Sequence, residues 1–466
     1  SILNYVEGSS TTIPVLSYKN FSNRSRDGEY GGTNLTYIHN FGSKGHEVKS
    51  EFNFRYNDGD ESTLTKALSG DLILKGKKTT EFGPSRDFEF KIDYTLPFTD
   101  ERKFEAGYDA ELENSDDNNS FYLFDSLSYD FQFQKQFSHD VKYLNNDQAL
   151  YATYTDQFGD FGIQGGFRTE YTFRTISLLD INAESKINRW DYFPTLHTSY
   201  KFSEGTQMMA SYTRRIQRPR GWELEPFLTW IDANNVRVGN PDLLPELIDS
   251  YETGIQTYIG KVSLSVELYH RVTNNKIDRV RSVYPETENV SLNSVINIGK
   301  DFSTGSELMM IFDPIEFWNV NAMANLYNYR IEGVLYNQPF ERQSFNWNAR
   351  LNNMFKISQS TQLQINVNYN SPGVSSQGTW KGFFTTDLSV KQDLFEKLLS
   401  LTLQIRDLLG TAKFEYSSSG PDFYSYNYFE RESPMIMLSA KINFNNYKAK
   451  RENGQMDNQN TGNDEF

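Results

Sequence analysis

Long runs of strictly alternating side chains, a regular succession of short and long connections, and many rings in a polar chain together predict an all-β fold. The fold class is a transmembrane antiparallel outer-membrane β-barrel of about 18 strands, with short periplasmic turns and long outer loops. The 466 residues include 15% aromatics, dominated by 35 Phe and 29 Tyr, yet the formal net charge is -15 and mean hydropathy is -0.64. A wall with a thin apolar skin and a wet interior reconciles these values. No run approaches the ~18 apolar residues of a membrane-crossing helix. The acidic balance argues against nucleic acid as partner, and the absence of cysteine fits an oxidising envelope without a disulfide framework. The residues after Ser1 have neither a basic nor an apolar leader region, so a leader is expected to be removed or to lie upstream.

Alternation is clearest in the second half. Val262, Leu264, Val266 and Leu268 oppose Ser263, Ser265 and Glu267. Phe345, Trp347, Ala349, Leu351 and Phe355 oppose Asn346, Asn348, Arg350, Asn352 and Lys356, with Asn353 interrupting the apolar row. Leu363, Ile365, Val367 and Tyr369 oppose Gln362, Gln364, Asn366, Asn368 and Asn370 without an error. Leu399, Leu401, Leu403 and Ile405 face away from Ser400, Thr402, Gln404 and Arg406, and Ile436, Leu438, Ala440, Ile442 and Phe444 away from Met437, Ser439, Lys441 and Asn443. A soluble sandwich also alternates, so length decides. These runs extend about 11 to 15 residues, against roughly 5 or 6 in ordinary sheets and about 9 to 11 for a tilted strand spanning a bilayer. From Phe345 to Phe355, at about 3.3 Å per residue and a 40° tilt, the strand rises roughly 25 Å, the height of an outer-membrane apolar band.

The connections fall into two classes. Short ones are read at Gly42 to Gly45, Thr99 to Glu101, Gly159-Asp160, Ser203 to Gly205, Gly260-Lys261, Asp313 to Ile315, Ser358 to Ser360 and Phe395 to Lys397. Long polar ones are read at Lys19 to Gly32, Asp58 to Arg86, Asn114 to Asn146, Thr175 to Asn188, Arg220 to Pro245, Arg281 to Asn293, Ile331 to Gln343, Ser371 to Thr379 and Gly410 to Ser433. Strict alternation of the two classes is the barrel pattern. Phe121 to Phe137 alternates too, but one inserted strand would break the succession. It is therefore expected in an outer loop, as a hairpin above the membrane. The barrel is expected over residues 1–444 and a polar disordered tail over 445–466.

The stretch from Tyr212 to Glu252 runs as a strand into Arg218-Pro219, becomes a Trp/Pro/Asn/Gly-rich loop and resumes near Glu246. Tyr212, Arg214, Arg215, Ile216, Arg218 and Pro219, then Trp222, Leu224, Pro226 and Phe227, make a distinctive block. Gly239, Asn240, Pro241, Leu243, Pro245, Glu246, Tyr251 and Glu252 continue it, and upstream stands Gly166-Phe167-Arg168-Thr169-Glu170. These residues resemble the TonB-dependent-receptor-like outer-membrane β-barrel family over roughly Ala149 to Phe444, with Gln217 where the family often has Asn. The resemblance implies the barrel of a TonB-dependent-type transporter importing a bulky nutrient, whether metal chelate, glycan or peptide. Family barrels have 22 strands and an N-terminal plug. Neither the plug nor a TonB-contacting segment is seen here, so the chain is read as the C-terminal part of a longer receptor, with TonB a partner only through a plug upstream. The alternative is a plugless structural or assembly barrel in a multi-protein complex with surface lipoproteins or other envelope proteins. Both readings place the chain among outer-membrane lipid in the bacterial cell outer membrane.

By parity Tyr212 belongs to an outer ring of aromatics, and Arg215 and Gln217 face the lumen; Arg214 and Arg218 are expected to emerge outside, toward lipid phosphates. Arg215, Gln217, Trp222 and Trp230 are candidates for a substrate vestibule. The competing reading is that the block, with Arg214, Arg218, Pro219, Gly239, Asn240, Pro241 and Glu246, pins the loop and wall. Outer-loop rings, namely Trp380, Phe383, Tyr416, Phe423, Tyr424, Tyr426, Tyr428 and Phe429, are candidates to stack on a ligand or to pack the loops. Asp58-Gly59-Asp60-Glu61 and Asp116-Asp117-Asn118 lack the spacing of a calcium loop and read as solvated acidic segments. Among five histidines, Ser138-His139-Asp140 is merely adjacent in sequence, and triads are recognised by geometry. No enzyme activity, cofactor or metal is expected.

Overall fold

A computed structural model describes residues 2–5, 14–180, 182–231, 235–285 and 290–443. In chain order the first strands are β1 (Ile2–Tyr5), β2 (Pro14–Asn40), β3 (Glu47–Ser69), β4 (Leu72–Pro97), β5 (Lys103–Asp125) and β6 (Asp130–Phe133). Then come β7 (His139–Phe158), β8 (Phe161–Leu178), β9 (Ala183–Ser203), β10 (Thr206–Gln217), β11 (Leu228–Trp230), β12 (Asn235–Val238) and β13 (Glu246–Ile259). They are followed by β14 (Val262–Val283), β15 (Ser291–Ile315), β16 (Trp318–Leu335), β17 (Gln338–Lys356), β18 (Thr361–Asn370), β19 (Gly373–Val374) and β20 (Gly378–Trp380). The last are β21 (Phe383–Leu394), β22 (Leu399–Arg406), β23 (Lys413–Gly420), β24 (Phe423–Glu430) and β25 (Met435–Ile442). Phe444 and the expected tail at 445–466 lie outside the described residues.

One up-and-down antiparallel meander carries the architecture: β2–β3–β4–β5–β7–β8–β9–β10–β13–β14–β15–β16–β17–β18–β21–β22–β25, with β1 paired to the start of β2. These wall strands and β1 agree with the expected count of about 18. The short β6, β11 and β12 join the same sheet, and β19, β20, β23 and β24 form a separate four-stranded sheet. Among the described residues no ladder joins β25 to β1 or β2.

Alternation becomes two faces because cross-strand partners share a side. Asn353, Ile365, Leu388, Ile405 and Ile436 register across β17, β18, β21, β22 and β25, and Phe355, Leu363, Val390, Leu403 and Leu438 form the row beside it. These side chains are not turned onto a dry centre: Ile436 is 66% and Leu438 73% exposed. A broad apolar surface left open on the outside of a sheet is one that meets hydrocarbon. Its edge carries stacked rings, with Trp347 and Tyr369 centroids 4.2 Å apart. The opposite face is wettable, as in the cross-strand pair of Asn352 with Asn366 and the Arg350 Nε donation to Asn368 Oδ1 at 2.9 Å.

The turns at one end are tight. Gly159 and Gly260 open two-residue turns at φ 64° and 60°, a region costly for a residue with a Cβ. The turn expected at Asp313 to Ile315 is displaced: β15 continues to Ile315, past a register shift after Phe312, and the reversal falls at Glu316-Phe317. At the other end most long connections are not loops. β2, β3 and β4 run 27, 23 and 26 residues, so Lys19 to Gly32 and most of Asp58 to Arg86 are ladder, with a reversal at Gly70-Asp71. Above a membrane both faces are wet, so the binary pattern fades while backbone pairing continues. Phe121 to Phe137 forms the expected hairpin: β5 continues to Asp125 and pairs with β6, and Phe137 ends a one-turn 3₁₀ helix at Lys135–Phe137.

Candidate functional site

The connection between β10 and β13 departs most from the sheet. Pro219 removes a ladder donor and ends β10 at Gln217, after which a 3₁₀ turn at Gly221–Leu224 redirects the chain. The turn is fixed by the Arg220 backbone N–H donating to Glu223 Oε2 at 2.9 Å. Gly239 then lies against it, its N–H on the Glu225 carbonyl at 2.8 Å, while Asn240 N–H reaches the Glu223 carbonyl at 2.6 Å. A Cβ on Gly239 would meet Glu223 and Glu225 backbone atoms at 2.6–2.7 Å, so only glycine fits this approach.

This connection is a strap held at both ends. On one side Leu224, Phe227 and Leu243 bury themselves with Val141 of β7 and Ile176 and Leu178 of β8; Val295 of β15 completes the cluster from the far side. His139, the first residue of β7, tilts against Phe227 at 4.6 Å and its Nδ1 lies 3.1 Å from Asp180, while Ser138 Oγ donates to the Gln134 carbonyl. Ser138, His139 and Asp140 therefore act as loop fasteners. On the other side β12 pairs in parallel with β15, from Asn235 with Ser291 to Arg237 with Asn293. Val236 is fully buried there with Tyr284 and Val290. Asn297 closes the junction, accepting from Leu244 N–H and donating to the Leu244 carbonyl, each at 2.8 Å. In midcourse Trp230 meets Phe137 and Tyr284 edge-on, with the Lys77 ammonium 3.4 Å from a ring centroid. Strands β4, β7, β8, β14 and β15 are thus tied together by one segment that crosses the polar face as a chord.

The residues singled out in the sequence distribute around this strap. Arg214 follows parity: it shares Asp249 with Tyr212, Nε and the Tyr212 hydroxyl each at 2.8 Å from Oδ1, beside the tilted Tyr212–Tyr251 pair. Arg218 does not emerge outside. β10 has ended one residue earlier, so its guanidinium turns back to donate to Glu170 and to Thr172 Oγ1, with Asp147 at 3.8 Å. Arg168 also donates to Glu170, at 2.5 Å, and the Gly166–Glu170 strand and the Arg-Pro block meet in this one network. Pro219 is buried and Ser185 Oγ donates to the Pro241 carbonyl at 3.4 Å. Glu246 is 2% exposed, accepting from Lys276 Nζ at 3.0 Å and Ile277 N–H at 2.7 Å. Gln217 is exposed opposite Glu246, and Arg215 lines a recess with Asp109, Tyr151 and Arg168.

Trp222 and Trp230 sit within the strap, whereas Trp380, Tyr424 and Tyr426 belong to the separate four-stranded sheet. That sheet leans on β14, with Arg281 donating to Ser425 Oγ at 2.7 Å and Gln377 Nε2 donating to the Arg281 carbonyl at 2.9 Å. Tyr424 is 72% exposed, and the Tyr426 hydroxyl donates to Glu415, which also holds Lys381. Of the acidic segments, Glu61 is taken up by Arg24 and Arg26.

Sequence reasoning missed Glu225, Arg237 and Arg279. Trp222 carries the Arg237 guanidinium 5.2 Å and the Arg279 guanidinium 4.9 Å from its ring. Burial pushes the Glu225 carboxyl up to about 7 against the pull of Arg237, with Glu81 and Asp117 adding to the rise.

Residues 39–459 match the outer membrane protein beta-barrel family. Solved structures with the same fold include a copper transporter, OprC, at 12% identity and a TM-score of 0.63, covering 90% of this chain and 66% of that one. The siderophore receptor PiuA from Acinetobacter baumannii gives 12%, 0.61, 91% and 64%. The ferric-catecholate import receptor Fiu from K12 E. coli gives 13%, 0.59, 90% and 64%. At such identity the likeness is one of fold, and the chain spans about two thirds or less of these neighbours' length. No curated protein matches.

Proposed function

This chain belongs to the outer membrane protein beta-barrel family of the bacterial outer membrane, and from that premise we propose that it is the barrel of an energy-coupled importer for a bulky nutrient: a metal chelate, glycan or peptide. The observation that carries the reading is the strap. A segment packed on β7 and β8 on one side and paired with β15 on the other lies across the wettable face, and on this reading it narrows the way in. On this reading Arg215, Gln217, Trp222 and Trp230, and with them Trp380, Tyr424 and Tyr426 of the four-stranded sheet, are the residues that meet the entering solute. On this reading the barrel supplies passage, energy coupling through TonB acts on a plug outside this chain, and no bond is made or broken. The solved neighbours named as transporters and import receptors favour it.

The test is accumulation by cells carrying the complete receptor, offered labelled ferric chelates, oligosaccharides or oligopeptides, with and without a protonophore. Uptake of one class that requires both the receptor and the proton gradient is expected. A folded, outer-membrane-located receptor that moves none of them would overturn the proposal. A second reading, a scaffold for envelope proteins, is favoured by the height of β2, β3 and β4 and by the four-stranded sheet. It predicts stoichiometric co-purification of a surface lipoprotein without uptake.

A further inference from the structure

Arginines in this acidic chain are mostly matched to carboxylates, as Arg214, Arg218 and Arg271 illustrate. Arg237, Arg279 and Arg281 are different. Arg281 of β14 registers with Asn293 of β15, which registers on its other edge with Arg237 of β12, so the three side chains share one face. Arg279 lies two residues before Arg281 on the same strand and so on that face as well. Their partners are weak or neutral. Arg281 donates to Asn293 Oδ1 at 3.3 Å and to Ser425 Oγ. Arg237 reaches Glu225 only at 3.8 Å, and its buried Nε has no acceptor. Arg279 is exposed and, among the described residues, has no acidic partner; it stacks on Trp222 instead.

We propose that Arg237, Arg279 and Arg281, backed by the Trp222 indole, form a recognition site for a soluble oxyanion, the carboxylate or phosphate group of an entering solute. The physical reasons are three. Guanidinium groups offer planar forks that match carboxylate and phosphate oxygens in pairs. Stacking on an indole holds a guanidinium in place without consuming its N–H donors. Three like charges gathered on one face at the cost of mutual repulsion are relieved by an anion between them. The triad shares its face with the strap rather than with the apolar band, which points to a dissolved ligand rather than a lipid headgroup. This inference rests on the import reading for its biological direction, and it narrows the nutrient to one bearing oxyanions.

Binding can be measured without transport, so the two readings fail separately. The full chain in neutral detergent micelles at low ionic strength is titrated with trisodium citrate by calorimetry, with maltotriose as a neutral probe. Saturable citrate binding and no maltotriose heat are expected. Arg279→Gln should weaken citrate at least tenfold, while Arg350→Gln, on the wall next to Asn368, should leave it unchanged, both variants keeping the wild-type melting profile. A flat citrate titration, equal isotherms for the two variants, or equal binding of maltotriose would overturn the proposal. Loss of the citrate isotherm on adding phosphatidylglycerol to the micelles would overturn the assignment to a dissolved ligand.

Discussion

At the scale of single residues the strap depends on a few positions with no tolerance. Gly239 has backbone atoms of Glu223 and Glu225 where a Cβ would stand. Gly239→Ala should therefore open the strap, at a cost of about 1–3 kcal/mol for forced displacement in a packed site. The check is faster proteolysis within residues 221–245 while the wall strands stay protected. Glu225 makes a second prediction, about pH. Its carboxyl ordinarily titrates near 4.5 and is pushed to about 7 by burial. A raised folded value means that the folded strap holds a proton that the open strap releases. Its contribution is full below about pH 4.5 and is lost as pH rises to about 7. Strap protection should fall across that window, and Glu225→Gln should flatten the dependence. An unchanged pH profile in the variant would refute the assignment. Parity placed Tyr212 and Arg214 on one side of β10, where they share Asp249. It failed for Arg218, because alternation has no meaning once Pro219 has ended the strand.

At the scale of elements the decisive property is that each wall strand has one face for hydrocarbon and one for water. Val367 and Asn366 are chain neighbours on opposite faces of β18, in register with Leu351 and Asn352 respectively. Val367→Arg should destabilise the barrel by about 2–4 kcal/mol if measured by refolding in lipid, and Asn366→Arg should be close to neutral. Equal costs would contradict the assigned faces. Element ends were less legible than element centres. The run from Lys75 to Glu81 is polar on both faces, so nothing in its pattern distinguishes strand from loop. It is strand because β3 offers it a continuous ladder and β5 a second one from Lys77 onward. Hairpins project above the bilayer on ladder hydrogen bonds helped by cross-strand pairs such as Arg24 and Arg26 with Glu61, without the binary pattern that reveals strands within it.

At the scale of the whole molecule two features matter. Among the described residues the outer edge of β25 has no ladder and that of β2 is paired only by β1 at its start; β2 and β25 run in the same sense, each entering the wall from the long-connection end. Antiparallel closure therefore takes an odd number of strands between them, and β1 is the first of these. An open edge in lipid leaves backbone groups unsatisfied at several kcal/mol each, so the wall must be completed there. The second feature is that two of the buried apolar clusters lie where the strap meets the wall, around Leu224, Leu243 and Val236, and a third joins β14, β15 and β16 through Val280, Ile298 and Ile331. A strap packed onto the wall in this way suits an entrance that keeps its shape, the property the uptake experiment addresses.

The sequence by itself determined the wall: the side chain period of two, the run lengths matched to a bilayer and the two classes of connection leave one architecture, because these are local regularities that every strand must satisfy separately. The block from Arg214 to Glu252 was also visible as a block. Only the tertiary structure decided what it does. Arg218 finds Glu170 across a gap of 48 residues, Arg237 finds Asn293 through a parallel pairing, and Trp222 gathers Arg279 from another strand. Such meetings depend on which strands lie opposite one another across the mouth, and no local pattern encodes that.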